Sequence, residues 1–244
     1  MNLFFRRLLN FLRPKPRYLP SPVSSILDEA SGMDIVSGFN YMYYTSNVGR
    51  NLTWAGHELI KNPCDLWMYV DIIQRLRPSL VIETGTHHGG SACFLADIAS
   101  VLGVDMQVIT VDINPKISFN PAEKNVVPVV GRSTAPAVVR KVYKLAEKRL
   151  AAAPGHVLVI LDSDHTEANV SRELTHYAPL VSKSSYVIVE DTNINGHPVY
   201  SEHGPGPYEA VDAFLKDNSA FARDVNCERF LLTFNPRGYI QRIM

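Results

Sequence analysis

Asp162 and the pair Glu190-Asp191 are carboxylates that each close an apolar run of strand character, in VLVILDSDH and YVIVEDTN. Three hard oxygen donors at neighbouring strand ends suit Mg²⁺ or another divalent cation, with water and substrate oxygens completing the shell. A cation held there would lower the pKa of a bound hydroxyl and prepare an oxyanion for attack on an electrophilic carbon. His165, three residues past Asp162, adds an imidazole that titrates near neutral pH, so Asp162 and His165 form the candidate catalytic pair. Asp164 belongs either to the same site or to the cap of a helix that opens near Thr166.

A second set of residues points to a nucleoside cofactor. In VIETGTHHGGS, residues 81–91, an apolar run ends in Glu83, turns through Gly85, Gly89 and Gly90, and opens an apolar helix at Ser91. Strand, glycine turn and helix together are how a doubly wound sheet offers a nucleoside pocket. The turn is not G-x-G-x-x-G, which argues against a pyrophosphate. A roomier turn with acceptors for an ammonium group fits S-adenosylmethionine better. Asp112, ending TVD, is placed to accept both ribose hydroxyls. The candidate cofactor set is therefore Glu83, Gly85, Thr86, His87, Gly89, Ser91, Asp112, Ser133 and Asp162. So many carboxylates on one rim are costly unless cations offset their repulsion.

The elements that must position these groups follow from periodicity. Apolar runs predict strands at 80–83, 107–112, 125–130, 156–162, 186–191, 229–234 and 239–243. Helical spacing predicts helices at 65–76, 91–102, 135–152, 166–177 and 207–217. Strands that are continuously apolar, each followed by a helix, form a parallel sheet covered on both faces. The turn Asn235-Pro236-Arg237-Gly238 predicts that the last two strands pair as an antiparallel hairpin. The fold class is thus α/β, a doubly wound, seven-stranded, mostly parallel, Rossmann-like sheet: the strand inventory of the class I methyltransferase fold. Residues 51–244 form that domain, and residues 1–50 an accessory segment. The long loop 192–208 after the metal pair reads as an active-site lid, with His197 and His203 as candidate substrate contacts. Trp54 and His57, with Tyr41, Tyr43 and Tyr44, are candidates for the opposite wall of the cleft.

Bulk composition excludes several classes. Twenty-four basic side chains balance twenty-four acidic ones, so no nucleic-acid partner is indicated. Three dispersed cysteines form no disulfide framework or zinc knuckle, which fits a reducing, cytoplasmic compartment. Residues 1–14 are basic and amphipathic but too short and charged to span a bilayer. They read as a helix for a partner subunit or as a weak interfacial membrane anchor. The aromatic N-terminal region favours a homo-oligomer.

The segments WAGHELIKNPCDL, VIETGTHHGGSACFLA, ITVDI, LDSDHTEANVSREL, YVIVEDTN and LLTFNPRGYIQRI resemble the cephalosporin hydroxylase/rhamnosyl O-methyltransferase family of class I methyltransferases. The resemblance runs from about Trp54 to the C-terminus. It implies an S-adenosylmethionine- and Mg²⁺-dependent O-methyltransferase acting on a hydroxyl of a sugar or small secondary metabolite. It implies that Glu83, Gly85, Ser91 and Asp112 bind cofactor while Asp162, Glu190 and Asp191 hold metal. The layout is also similar to catechol O-methyltransferases, but an acid–amide pair there is Glu190-Asp191 here, and a catalytic lysine there is replaced by His165. Two other readings stand beside it. His165-Thr166-Glu167 with His197 or His203 could imitate the iron triad of a non-haem hydroxylase, or the chain could be a non-catalytic cofactor-binding partner of an oxygenase.

Overall fold

The computed structural model describes residues 32–244. The amphipathic segment 1–14 lies outside the described residues. Helix α1 (Ile35–Thr45) opens on Asp34, whose carboxylate accepts from the backbone N–H groups of Val36 and Ser37. A two-residue pair, β1 (Thr53–Trp54) and β2 (His57–Glu58), follows as a small antiparallel hairpin. Helix α2 (Pro63–Leu76) starts on Asn62, which accepts from Cys64 N at 2.8 Å, with Pro63 in the first turn.

From there strand and helix alternate: β3 (Leu80–Thr84), α3 (Gly90–Val101), β4 (Gln107–Asp112), β5 (Val126–Val130), α4 (Pro136–Ala152), β6 (Val157–Leu161), α5 (Glu167–Tyr177), β7 (Tyr186–Val189), α6 (Pro207–Asp217), β8 (Phe221–Arg223) and β9 (Tyr239–Arg242). The sheet order is β5-β4-β3-β6-β7-β9-β8. Strands β3 to β7 run parallel, and β9 is antiparallel to both its neighbours. Strands β3, β6 and β7 are buried along their whole length, as continuous apolar runs require when both faces are covered. One face packs on α2 and α3 through Tyr69, Ile72, Leu95 and Leu158; the other packs on α4 to α6 through Val142, Val159, Leu174 and Val211. The order reverses beside β3, so the carboxyl ends of β3, β4 and β6 open a crevice for a ligand.

The last two strands pair antiparallel as expected, but the first of them is β8 (Phe221–Arg223): residues 229–234 form no strand, and β9 lies between β7 and β8. With both edges of β9 taken, the segment before it has no place in the sheet. It is bound to α2 instead: Asp65 accepts from Thr233 Oγ1 at 2.5 Å, Phe234 N at 2.8 Å and Tyr239 Oη at 2.7 Å. Strand β8, only three residues long, has too little pattern to announce itself. The sequence reading also ran two strands slightly long, since β6 stops at Leu161 and β7 at Val189.

Burial, and then the charge of Glu190, push Asp65 up to about 7 in spite of its three donors. The folded protein therefore keeps this proton between about pH 4 and pH 7, where the unfolded chain has released it. Stability from this group falls as pH rises through that window and levels off above it, on the order of 1 kcal/mol per pH unit. Urea unfolding at a series of pH values should show the gap between Asp65→Asn and the parent narrowing from pH 4 towards pH 7. A gap that stays constant would refute the assignment.

Candidate active site

The crevice is a cavity of about 590 Å³. Its floor depends on the contact between two strand ends. β3 and β6 are in register through Thr84 and Leu161, and Asp162 N donates to Thr84 O at 3.0 Å. Gly85 then turns with φ +91°, and a Cβ there would lie 1.7 Å from the Asp162 carbonyl oxygen. Only glycine allows the turn to lie against the next strand end. Gly90, where α3 begins, is crowded in the same way: a Cβ would sit 2.0 Å from Glu58 O.

Of the cofactor set, Gly85, Thr86, His87, Ser91, Asp112, Ser133 and Asp162 line the cavity. Gly89 does not; its φ of +82° shapes the turn from behind, against Ile117 and Phe119. Asp112 is fixed by two backbone donors, His87 N at 2.9 Å and Asn114 N at 2.8 Å. Glu83 is also outside the lining, fully buried beneath the turn. Its Oε2 accepts from Thr110 at 2.7 Å, while Oε1 has no hydrogen-bond partner. Burial pushes Glu83 up to about 7, and Lys61 and its hydroxyl neighbours hold it back from rising further.

The second group sits at the ends of β6 and β7. Asp162, His165 and Asp191 present ligand atoms that all lie within 4.8 Å of one another. His165 Nε2 is 3.1 Å from Asp191 Oδ2 and 3.9 Å from Asp162 Oδ1. Asp191 is held at φ 55°, a left-handed conformation that a non-glycine residue keeps only when its surroundings demand it. Asn235 Oδ1 supplies part of that demand by accepting Asp191 N at 3.0 Å. Burial pushes Asp191 up to about 6; the His165 charge opposes it, while Asp162 and Glu190 reinforce it.

Of the expected metal set, Asp162 and Asp191 border the cavity beside His165, whereas Glu190 does not line it. Glu190 is buried and faces Lys61, whose Nζ lies 2.9 Å from Glu190 Oε1 and 2.5 Å from Asp162 Oδ2. Lys61, 3% exposed, was missed by the sequence reading. Burial alone would depress its pKa, but the charges of Asp162 and Glu190 hold it well above the ordinary lysine value. The signal was present: clustered carboxylates require a cation, and Lys61 is the one lysine or arginine between Arg50 and Arg75. The carboxylates of Asp162 and Asp191 are hard oxygen donors that suit a divalent cation such as Mg²⁺ or Mn²⁺, with the His165 imidazole beside them.

The family model described as Rhamnosyl O-methyltransferase/CmcI matches residues 46–243. The chain belongs to this methyltransferase family. Among its relatives, the Rhamnosyl O-methyltransferase of Mycobacterium leprae (strain TN) is 36% identical over 212 residues, 85% of this chain and 90% of that protein. The Rhamnosyl O-methyltransferase of Mycobacterium tuberculosis (strain ATCC 25618 / H37Rv) is 37% identical over 213 residues, 85% of each chain. A solved CmcI structure with Mg-SAM superposes with a TM-score of 0.60 at 19% identity, over 80% of this chain and 78% of its own. A CmcI structure with SAH gives 0.61 at 19% identity over 96% of both chains. The likeness to these structures is one of fold, the class I methyltransferase fold.

Asp164 borders the cavity, but its carboxylate accepts from Thr166 N at 3.0 Å in the turn before α5, whose cap is Thr166 itself. Other expected residues lie elsewhere. His197 stacks on Tyr208 at 3.7 Å and pairs with Glu209 at 3.0 Å, and His203 is exposed. Neither lines the cavity or joins His165 in a metal-binding group among the described residues, which removes the iron-triad arrangement. Trp54 packs on Phe94 and donates to Asp97, and His57 stacks on Phe119; neither reaches the cleft. Tyr44 does, and its hydroxyl meets the Asp191 carboxylate. The loop after β7 is anchored rather than loose at its base: Thr192, Asn193, Ile194 and Val199 are buried, and Asn193 N donates to Phe234 O at 3.1 Å.

Removing Lys61 leaves the buried Glu190 and the partly buried Asp162 without their cation, and breaking a buried pair typically costs about 3–5 kcal/mol. Lys61→Met should lower stability by about 3 kcal/mol, and millimolar Mg²⁺ should restore more stability to the variant than to the parent. Calorimetry with and without Mg²⁺ checks both, and an equal Mg²⁺ effect in the two proteins would show that Lys61 and the cation act on separate charges.

Proposed function

We propose that the chain transfers the methyl group of S-adenosylmethionine to a hydroxyl of a sugar, assisted by a divalent cation, Mg²⁺ in the first instance. The observation that carries this reading is the meeting, in one cavity, of the Gly85–Ser91 turn and Asp112 with Asp162, His165 and Asp191. The turn and Asp112 take the cofactor, Asp112 through the ribose hydroxyls and the backbone around Thr86, His87 and Ser91 through the amino-acid end. Ser133 borders the far side of the same cavity, and Glu83 supports the turn from below. The curated relatives at 36–37% identity carry the name Rhamnosyl O-methyltransferase, which supports a sugar hydroxyl as acceptor.

Asp162 and Asp191 are the carboxylates that would hold the cation. Its chemistry, when bound, is to orient the acceptor hydroxyl and lower its pKa. Glu190, buried behind those two aspartates with Lys61 Nζ 2.9 Å from its Oε1, is the third carboxylate of the set, and joining the cation would cost it that ion pair. His165 Nε2 is placed to take the hydroxyl proton, and the imidazolium formed is paired with Asp191 and Asp162. Lys61 Nζ donates to Asp162 Oδ2 at 2.5 Å and offsets its negative charge. The protein's remaining contribution is positioning, which is worth several kcal/mol in a reaction between two bound groups.

Titration calorimetry should detect S-adenosylmethionine and S-adenosylhomocysteine, and absence of binding at millimolar ligand would sink the proposal. With a rhamnoside acceptor, chelation should abolish S-adenosylhomocysteine release and Mg²⁺ should restore it. Asp162→Asn and Asp191→Asn should each reduce kcat/KM by roughly 100-fold or more, with the unfolding midpoint close to the parent. A cation-independent rate, or full activity in both variants, would contradict the role given to the carboxylates. His165→Ala should lower kcat more than it raises the acceptor KM, with the residual rate rising with pH as the hydroxyl ionises unaided.

A further inference from the structure

A second cavity, of about 110 Å³, adjoins the first on the side away from the glycine turn. It shares Tyr44, Arg50, Ile60 and Asp191 with the main cavity and adds Tyr43, Asn47, Tyr200 and Phe234. None of the turn residues, Asp112 or Ser133 borders it. A donor seated along the turn therefore leaves this as the side from which an oxygen nucleophile can approach Asp191.

We propose that this aromatic side pocket binds the sugar ring of the methyl acceptor, with Tyr44 and Tyr200 against its C–H face and Asp191 at the reacting hydroxyl. The proposal rests on the methyl-transfer reading above and names the subsite that reading lacks. The walls are a connected set of rings: Tyr44 meets Tyr200 at 5.4 Å and Phe234 at 4.8 Å, both edge to face, and Tyr43 meets Phe234 at 5.8 Å. A pyranose ring has an apolar C–H face and a polar rim, so it needs aromatic surface together with a few fixed polar groups. Asn47 and Arg50 are the polar side chains here besides the tyrosines and Asp191, and a wholly apolar ligand would leave them unmatched. Tyr200 is 49% exposed yet held in a left-handed turn at φ 49°, beside Val199, whose N–H donates to Asn193 O at 3.0 Å. A large, half-exposed ring fixed from behind is built to be covered by something else.

The pocket draws on α1, the short helical turn at Val48–Asn51, the loop after β7 and the segment before β9. None of these is part of the parallel sheet. The acceptor subsite is thus assembled from the segments least constrained by the fold.

Saturation-transfer NMR with methyl α-L-rhamnoside, in the presence of Mg²⁺ and S-adenosylhomocysteine, tests the assignment on the full chain. Transfer to the ring C–H protons is expected in the parent and in Tyr200→Phe, with affinity weakened about tenfold in Tyr200→Ala. S-adenosylhomocysteine affinity, measured by calorimetry, should be the same in all three. Equal rhamnoside binding in Tyr200→Ala would overturn the subsite, as would no rhamnoside binding to a parent that still binds S-adenosylhomocysteine. Preferential binding of catechol over the rhamnoside would overturn the sugar assignment in favour of an aromatic acceptor. If S-adenosylhomocysteine itself does not bind, the methyl-transfer reading fails first and takes the subsite with it.

Discussion

The site depends on one buried cation. Lys61 lies between Asp162 and Glu190, with Glu83 close enough for its charge to be felt. Without it, the carboxyl ends of β3, β6 and β7 would bring like charges together in a medium that screens them poorly. With it, Asp162 gives Oδ2 to the lysine and keeps Oδ1 towards His165. Lys61 sits just before α2, and Asp65, one turn into that helix, anchors the segment leading to β9. A single stretch of chain therefore neutralises the site and ties down the polypeptide that closes its far side.

Much of the fold was legible because parallel strands buried on both faces are continuous apolar runs. Leu80–Ile82, Val157–Leu161 and Tyr186–Val189 show this, and the carboxylates that interrupt such runs mark their ends. What the sequence hid is of another kind. The exclusion of residues 229–234 from the sheet is decided by competition for the edges of β9, which no local pattern records. An Asn-Pro-Arg-Gly turn looks the same whether or not both of its arms are strands.

The site was legible in its acids and not in their partners. A carboxylate at the end of a strand identifies itself by position, whereas Lys61 acts across a separation in sequence of about a hundred residues. That Glu190 faces Lys61 while Asp191 borders the cavity has the same cause. Which of two adjacent acids faces the cavity depends on where the lysine sits. Tyr44 and Tyr200 were likewise invisible as a pair, because α1 and the loop after β7 meet only in the folded chain.

The contact between Gly85 and the Asp162 carbonyl oxygen has a mechanical consequence. With no room for even a methyl group, the cofactor turn and the first carboxylate of the metal group cannot shift independently. A ligand that moves the turn by a few tenths of an ångström must push on Asp162 as well, since packed interiors transmit displacement rather than absorb it. The two half-sites are in this sense geared: seating a ligand in one adjusts the alignment of the other, with no hinge or long-range change in shape.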